Sequence, residues 1–157
     1  MRVLVTGGTG FVGSHATAAL LGAGHEVRLL VRDPAKAERV FAPLGVGVPD
    51  RVRGDVLDRA SVARALEGCD AVVHAAAVVA NDRRRADEVL RTNPAAARNV
   101  LGAAVDAGAD PIVHVSSVAS LFPPPGPVID ASTPVASPTS AYGRSKADAE
   151  RIARALQ

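Results

Sequence analysis

Thr6-Gly7-Gly8-Thr9-Gly10-Phe11-Val12-Gly13 sits directly behind the apolar run Arg2–Thr6 and directly ahead of Phe11–Ala23, a stretch with helical periodicity. A chain that leaves an extended run and enters a helix through so many glycines makes a tight strand–turn–helix unit. Gly8, Gly10 and Gly13 satisfy G-x-G-x-x-G, and Gly7, Gly10 and Gly13 satisfy G-x-x-G-x-x-G. Either spacing alone is common. Here a second apolar run follows about fifteen residues later, the context that a dinucleotide-binding turn requires. Bare glycines let backbone approach a pyrophosphate. The helix start at Phe11, Val12 and Gly13 offers free N–H groups and a partial positive charge to it. The alternative is a tight turn that holds nothing.

Beyond the turn, short apolar runs alternate with helical stretches. Strands are expected at Arg2–Thr6, Glu26–Val31, Arg51–Gly54, Asp70–His74 and Pro111–Val115. Gly24 is a C′ cap for the first helix, and Asp33-Pro34 opens a second that runs to about Ala42. Asp58 caps a helix ending at Gly68, and a long helix covers Arg83 to Ala107 with an interruption at Pro94. A Pro-rich loop, Phe122–Pro138, precedes a last helix over Ser140–Leu156. Strands that alternate with helices pair in parallel through right-handed crossovers. With the glycine turn, the expected fold is therefore an α/β Rossmann-type parallel sheet with helices on both faces and residues 1–157 forming one domain.

The 157 residues suffice for one core, and 48% are hydrophobic. A net charge of +2 is too small for a basic nucleic-acid surface, and the run Arg83-Arg84-Arg85 reads as a solvated helix start. Cys69 is the single cysteine, which leaves no internal disulfide or cysteine cluster. It reads as a buried or turn thiol. No apolar stretch reaches membrane-spanning length, and the start lacks a secretory leader pattern, so a soluble cytoplasmic location without membrane contact is expected. His74 and His114 end neighbouring strands. No third ligand accompanies them, so they read as ordinary strand-end histidines and no metal is expected. His15 and His25 read as surface or packing residues.

The end of the second strand bears on the cofactor. NAD sites usually carry a carboxylate there for the ribose hydroxyls. Here Val31 takes that place and Arg32 follows. A guanidinium suits a 2′-phosphate, so NADP is favoured, with NAD possible. Asp33 reads as a helix cap. Asp55 and Val56, after the third strand, lie where adenine would come; a capping turn explains them equally well.

Tyr142 and Lys146 stand four apart in the last predicted helix and so share a face. A free phenol has a pKa of about 10, too high for a base at neutral pH, and a nearby ammonium lowers it. That tuning suits proton transfer to or from an alcohol. Such a pair is also common on helix surfaces. Yet Tyr142 is the only tyrosine, and Lys36 and Lys146 are the only lysines, in a chain that otherwise uses arginine.

The segments TGGTGFVG, GDV at Gly54–Val56, HAAA at His74–Ala77, VSS at Val115–Ser117 and Tyr142-Gly-Arg-Ser-Lys146 resemble the extended short-chain dehydrogenase/reductase superfamily. More narrowly they resemble the NAD-dependent epimerase/dehydratase family. The VRDP segment is similar to its dihydroflavonol-reductase-like branch. The resemblance implies a doubly wound sheet, five strands in the order 3-2-1-4-5. It implies that Tyr142 is the general acid/base, that Lys146 lowers its pKa and holds the nicotinamide ribose, and that Ser117 bonds the substrate oxygen. It further implies close passage of Ala75 and Ala76 by the cofactor phosphates, and a cofactor-side Asn93. Pro94 stands where that family more usually has valine. Members continue for as long again, so the resemblance also implies a truncated chain lacking its substrate-binding portion.

The expected activity is reversible hydride transfer between NADP(H) and a small-molecule secondary alcohol or ketone. One alternative is a non-catalytic dinucleotide-binding fragment or redox-sensing module. Another is an NAD-dependent nucleotide-sugar epimerase or dehydratase. A homodimer is expected only by analogy with the family.

Overall fold

Period-two burial on both sides of one strand organises the sheet. Strand β1 (Arg2–Thr6) sends Val3 and Val5 into one apolar cluster and Leu4 into the opposite one, all with 4% exposure or less. A strand apolar on both faces needs helices on both faces. The computed structural model, which describes residues 1–80 and 82–157, has that arrangement.

The remaining strands are β2 (Glu26–Val31), β3 (Asp50–Arg53), β4 (Ala71–His74) and β5 (Ile112–His114). They form one parallel sheet in the order β3-β2-β1-β4-β5. The helices are α1 (Phe11–Gly22), α2 (Ala35–Phe41), α3 (Arg59–Leu66), α4 (Ala86–Asp106) and α5 (Ala141–Ala155). Leu4, Leu30 and Val72 pack with Val62, Ala65 and Leu66 of α3 and Val100, Ala103 and Ala104 of α4. On the opposite face Val5, Leu29 and Val31 pack with Ala37 and Phe41 of α2, and Leu20 and Leu21 of α1 lie against them.

The expected caps form. Gly24 takes φ 82 after α1, and its N–H bonds the Leu21 carbonyl at 3.0 Å. Asp58 accepts from the Ala60 N–H at 3.0 Å. Asp33 accepts from the Ala35 N–H at 3.0 Å, and Pro34 is already helical in φ and ψ although α2 is counted from Ala35. The expected interruption at Pro94 does not occur: α4 runs unbroken through it. Proline removes only its own N–H bond to the carbonyl four residues back, and the bonds on either side keep the helix continuous.

The chain divides into two compact units. The first, residues 1–76 and 99–115, contains the whole sheet, α1 to α3 and the second part of α4. The second, residues 77–98 and 116–157, contains the first part of α4, the 3-10 turns Arg83–Arg85 and Val118–Ser120, and α5.

Candidate functional site

In the first unit the glycine turn is held by contacts that leave no room for side chains. Gly7 adopts φ 72, and a β-carbon there would lie 2.5 Å from the Ala76 nitrogen and 2.7 Å from the Ala75 carbonyl carbon. A β-carbon on Gly13 would collide with the Gly7 carbonyl. The Gly10 N–H closes the turn on the Gly7 carbonyl at 2.8 Å. Gly10 is the N-cap of α1 and brings no side-chain acceptor to the first-turn amides of Phe11, Val12 and Gly13. Such a helix start could hold an anion. Phe11 and Val12 are 81% and 52% exposed there, and Phe11 meets His15 edge-on at 5.0 Å.

Behind the turn, Ala75 and Ala76 are tied to β1. The Ala75 N–H bonds the Thr6 carbonyl at 3.1 Å, and the Ala76 N–H bonds Thr6 Oγ1 at 3.4 Å. Thr6 Oγ1 also lies 2.7 Å from His74 Nδ1, and His74 stacks on His114 with centroids 5.4 Å apart. His74 is thus a buried packing residue. Among the described residues no group of three His, Cys, Asp or Glu side chains gathers at one point. Cys69 donates to the Ala65 carbonyl at 3.4 Å, and burial pushes its thiol pKa up. A raised pKa keeps a thiol protonated and unreactive.

At the positions that the sequence reading assigns to the adenosine side, Arg32 is exposed just past β2. Asp55 Oδ1 accepts from the Leu57 N–H at 3.0 Å, so the capping turn is present. Ser61 Oγ accepts the Asp55 N–H at 3.0 Å and lies 2.8 Å from the Asp55 carbonyl. Asn99 Nδ2 holds the Val56 and Leu57 carbonyls at 3.1 and 3.0 Å. Sequence reasoning missed Ser61 and Asn99 as supports of this loop, because a support is visible only once distant segments meet.

The second unit carries Asn93, Ser117, Tyr142 and Lys146. Ser140 caps α5 by accepting the Gly143 N–H at 3.0 Å. Tyr142 and Lys146 follow four apart on that helix, Tyr142 half-buried and Lys146 only 3% exposed. Burial holds the Lys146 ammonium below the ordinary lysine range, and Glu150 partly offsets this. Ser117 caps the 3-10 turn Val118–Ser120, its Oγ accepting the Ala119 N–H at 3.2 Å. The hydroxyl proton is not used in that bond and can be donated outward. Ser116 Oγ instead lies 3.3 Å from Ser120 Oγ.

Asn93 is fully engaged. Its Oδ1 accepts the Val78 N–H at 2.8 Å, and its Nδ2 donates to the Val78 carbonyl and to Ser145 Oγ, both at 3.0 Å. Gly143 is a further residue that sequence reasoning missed. A β-carbon there would lie 2.6 Å from Pro138 Cβ and 3.3 Å from the Ala119 carbonyl oxygen. A glycine inside a helix costs about 1 kcal/mol against alanine, and that penalty was the available signal.

A sequence profile of the NAD dependent epimerase/dehydratase family matches residues 3–157. The chain is 36% identical over 154 residues to a 4-hydroxy-2-methyl-3-oxo-4-farnesyl-3,4-dihydroquinoline-1-oxide ketoreductase of Stigmatella aurantiaca, covering 97% of this chain and 45% of that one. It is 36% identical over 132 residues to cinnamoyl-CoA reductase 1 of Oryza sativa subsp. japonica, covering 82% of this chain and 38% of the relative. A UDP-glucose 4-epimerase of Bifidobacterium longum, solved with NAD+ and UDP, superposes with a TM-score of 0.84 at 30% identity. That match covers 99% of this chain and 49% of the epimerase. The chain thus spans less than half the length of these relatives.

Proposed function

The chain belongs to the NAD dependent epimerase/dehydratase family, and from that premise we propose that it binds NADP(H) and serves hydride transfer between that cofactor and a secondary alcohol or ketone. The observation that carries the proposal is the glycine turn. Its Gly7 and Gly13 positions have no space for a β-carbon, and the helix behind it starts without a side-chain acceptor. A turn that only reversed the chain would not need both.

In this proposal the Phe11, Val12 and Gly13 amides take the pyrophosphate. Ala75 and Ala76 pass close to it, and Asp55 and Val56 border the adenine. Arg32 favours NADP by giving its guanidinium to the 2′-phosphate. Asn93 acts through the Val78 backbone and Ser145 that it holds. The bound nicotinamide would supply or take up the hydride. Ser117 donates its hydroxyl proton to the substrate oxygen. During alcohol oxidation the Tyr142 phenolate takes the hydroxyl proton as the hydride leaves carbon; in reduction the phenol returns it. Lys146 favours the phenolate by its charge. Its lowered pKa bounds that role, because the ammonium must stay protonated at the working pH.

A second reading is favoured by one observation, since the structurally similar epimerase holds NAD rather than NADP. Titrating both dinucleotides by calorimetry separates the two. NADP is expected to bind tighter by at least tenfold, about 1.4 kcal/mol. Tighter binding of NAD would overturn the role given to Arg32. With a ketone substrate, Tyr142→Phe is expected to lower turnover by about a hundredfold or more while the cofactor Kd holds. Unchanged turnover would remove Tyr142 from the chemistry.

A further inference from the structure

The arginines of the first three strands are almost all neutralised. Arg2 Nε pairs with Glu26 at 3.1 Å, Arg28 Nε with Asp50 at 2.8 Å, and Arg51 Nη2 with Glu38 at 3.5 Å. Arg28 also donates to the Glu67 carbonyl at 2.6 Å. Two arginines break the pattern. Arg53, the last residue of β3, and Arg32, the first residue past β2, are both exposed. Neither forms an ion pair or side-chain hydrogen bond with any described residue.

The strand register sets their backbones one position apart at the same end of two neighbouring strands. Val31 is the Cα partner of Arg53 in the β2–β3 pair, and the Gly54 N–H bonds the Val31 carbonyl at 3.0 Å. Neighbouring strands run about 4.8 Å apart, so long side chains at matched strand ends start within reach of one small ligand. Arg53 lies two residues beyond Arg51 and shares its face of β3. Arg51 reaches Glu38 on α2, and Arg53 lies past that carboxylate. The two acids nearest in sequence are engaged by backbone, Asp33 with the Ala35 N–H and Asp55 with the Leu57 N–H, both at 3.0 Å.

We propose that Arg53 is a specificity-determining residue which joins Arg32 to form a two-guanidinium site for a phosphate monoester, the ribose 2′-phosphate of NADP. This rests on the dinucleotide reading above and adds a residue to it. Two planar forks from adjacent strands meet a dianion with more donors than one can. A cofactor with a bare 2′-hydroxyl offers them no charge, so the pair discriminates rather than merely attracts.

The test is calorimetric titration of the full chain with NADP and NAD. Arg53→Gln, the double variant Arg32→Gln/Arg53→Gln, and Arg83→Gln as an exposed control are run beside the parent. Arg53→Gln is expected to weaken NADP about tenfold, near 1.4 kcal/mol, and to leave NAD within about twofold. The double variant is expected to lose the preference, and Arg83→Gln to keep it. Adenosine 2′,5′-bisphosphate against adenosine 5′-monophosphate should repeat the pattern. That comparison separates the 2′-phosphate from a phosphate on a substrate. Equal weakening of NADP and NAD, or no effect on either, would overturn the role of Arg53 alone. A parent chain that binds neither dinucleotide would sink the proposed function as well. Melting temperatures of the variants within a degree or so of the parent would establish that folding is not the cause.

Discussion

Gly7 is where the chain tolerates least change. A side chain there faces two penalties, an unfavourable φ and a backbone already in the space. The left-handed conformation costs a non-glycine residue roughly 1–2 kcal/mol, and the contact adds to it. Gly7→Ala is expected to remove at least ~2 kcal/mol of stability, a drop of about 4 °C or more in Tm for a chain of this size. Urea unfolding checks it; a variant as stable as the parent would mean that the turn relaxes freely. Lys146 carries the opposite tension. Burial lowers its pKa, so between the lowered value and the ordinary lysine value the unfolded chain binds more protons than the folded one. Stability therefore rises with pH through that window, and below it the buried ammonium opposes folding in full. Lys146→Met is expected to be inactive yet more stable than the parent at neutral pH, with the gap narrowing as pH climbs toward the lysine range. Urea titrations at several pH values read this directly, and a pH-independent gap would refute it. These two residues also show what sequence can carry. Gly7 was legible because its strain is local. The burial of Lys146 was not, because it depends on what covers α5.

Helix α4 tests local rules against packing. Pro94 was expected to interrupt it, and the helix continues. Pro94→Ala restores one hydrogen bond and is expected to raise stability by about 1–3 kcal/mol, measured by urea unfolding. Asn93, one residue earlier, behaves differently, for it ties α4 to the Val78 backbone and to Ser145 of α5. Asn93→Ala leaves buried partners unsatisfied, at about 1–3 kcal/mol each. It is expected to destabilise more than any surface change on the same helix. The strands were legible from the alternation of apolar runs with helices, and their order from the family resemblance. The ends were less so: β5 is shorter than expected and α2 starts later, because caps and edge pairing fix the last residue. Gly143 and Ser61 are not legible in the sequence for a related reason. Each serves a segment far along the chain, and no local pattern announces that.

For the molecule as a whole, the cofactor proposal makes a thermodynamic demand. A ligand that binds only the native state adds about 2.7 kcal/mol at a hundred times its Kd. The melting temperature should therefore climb with NADP concentration and climb less with NAD. A flat response to both would remove the cofactor from the account. Among the described residues no helix is long and apolar enough to cross a membrane. The two compact units also limit how the gene can be dissected. The chain passes from one to the other three times, at Ala77, Asn99 and Ser116, and the second passage falls inside α4. No single stop codon or start codon isolates either unit, and excising one leaves the other with half a helix. Truncation libraries should yield insoluble fragments wherever the cut severs that ladder, and a protease that reaches its middle should release no stable piece.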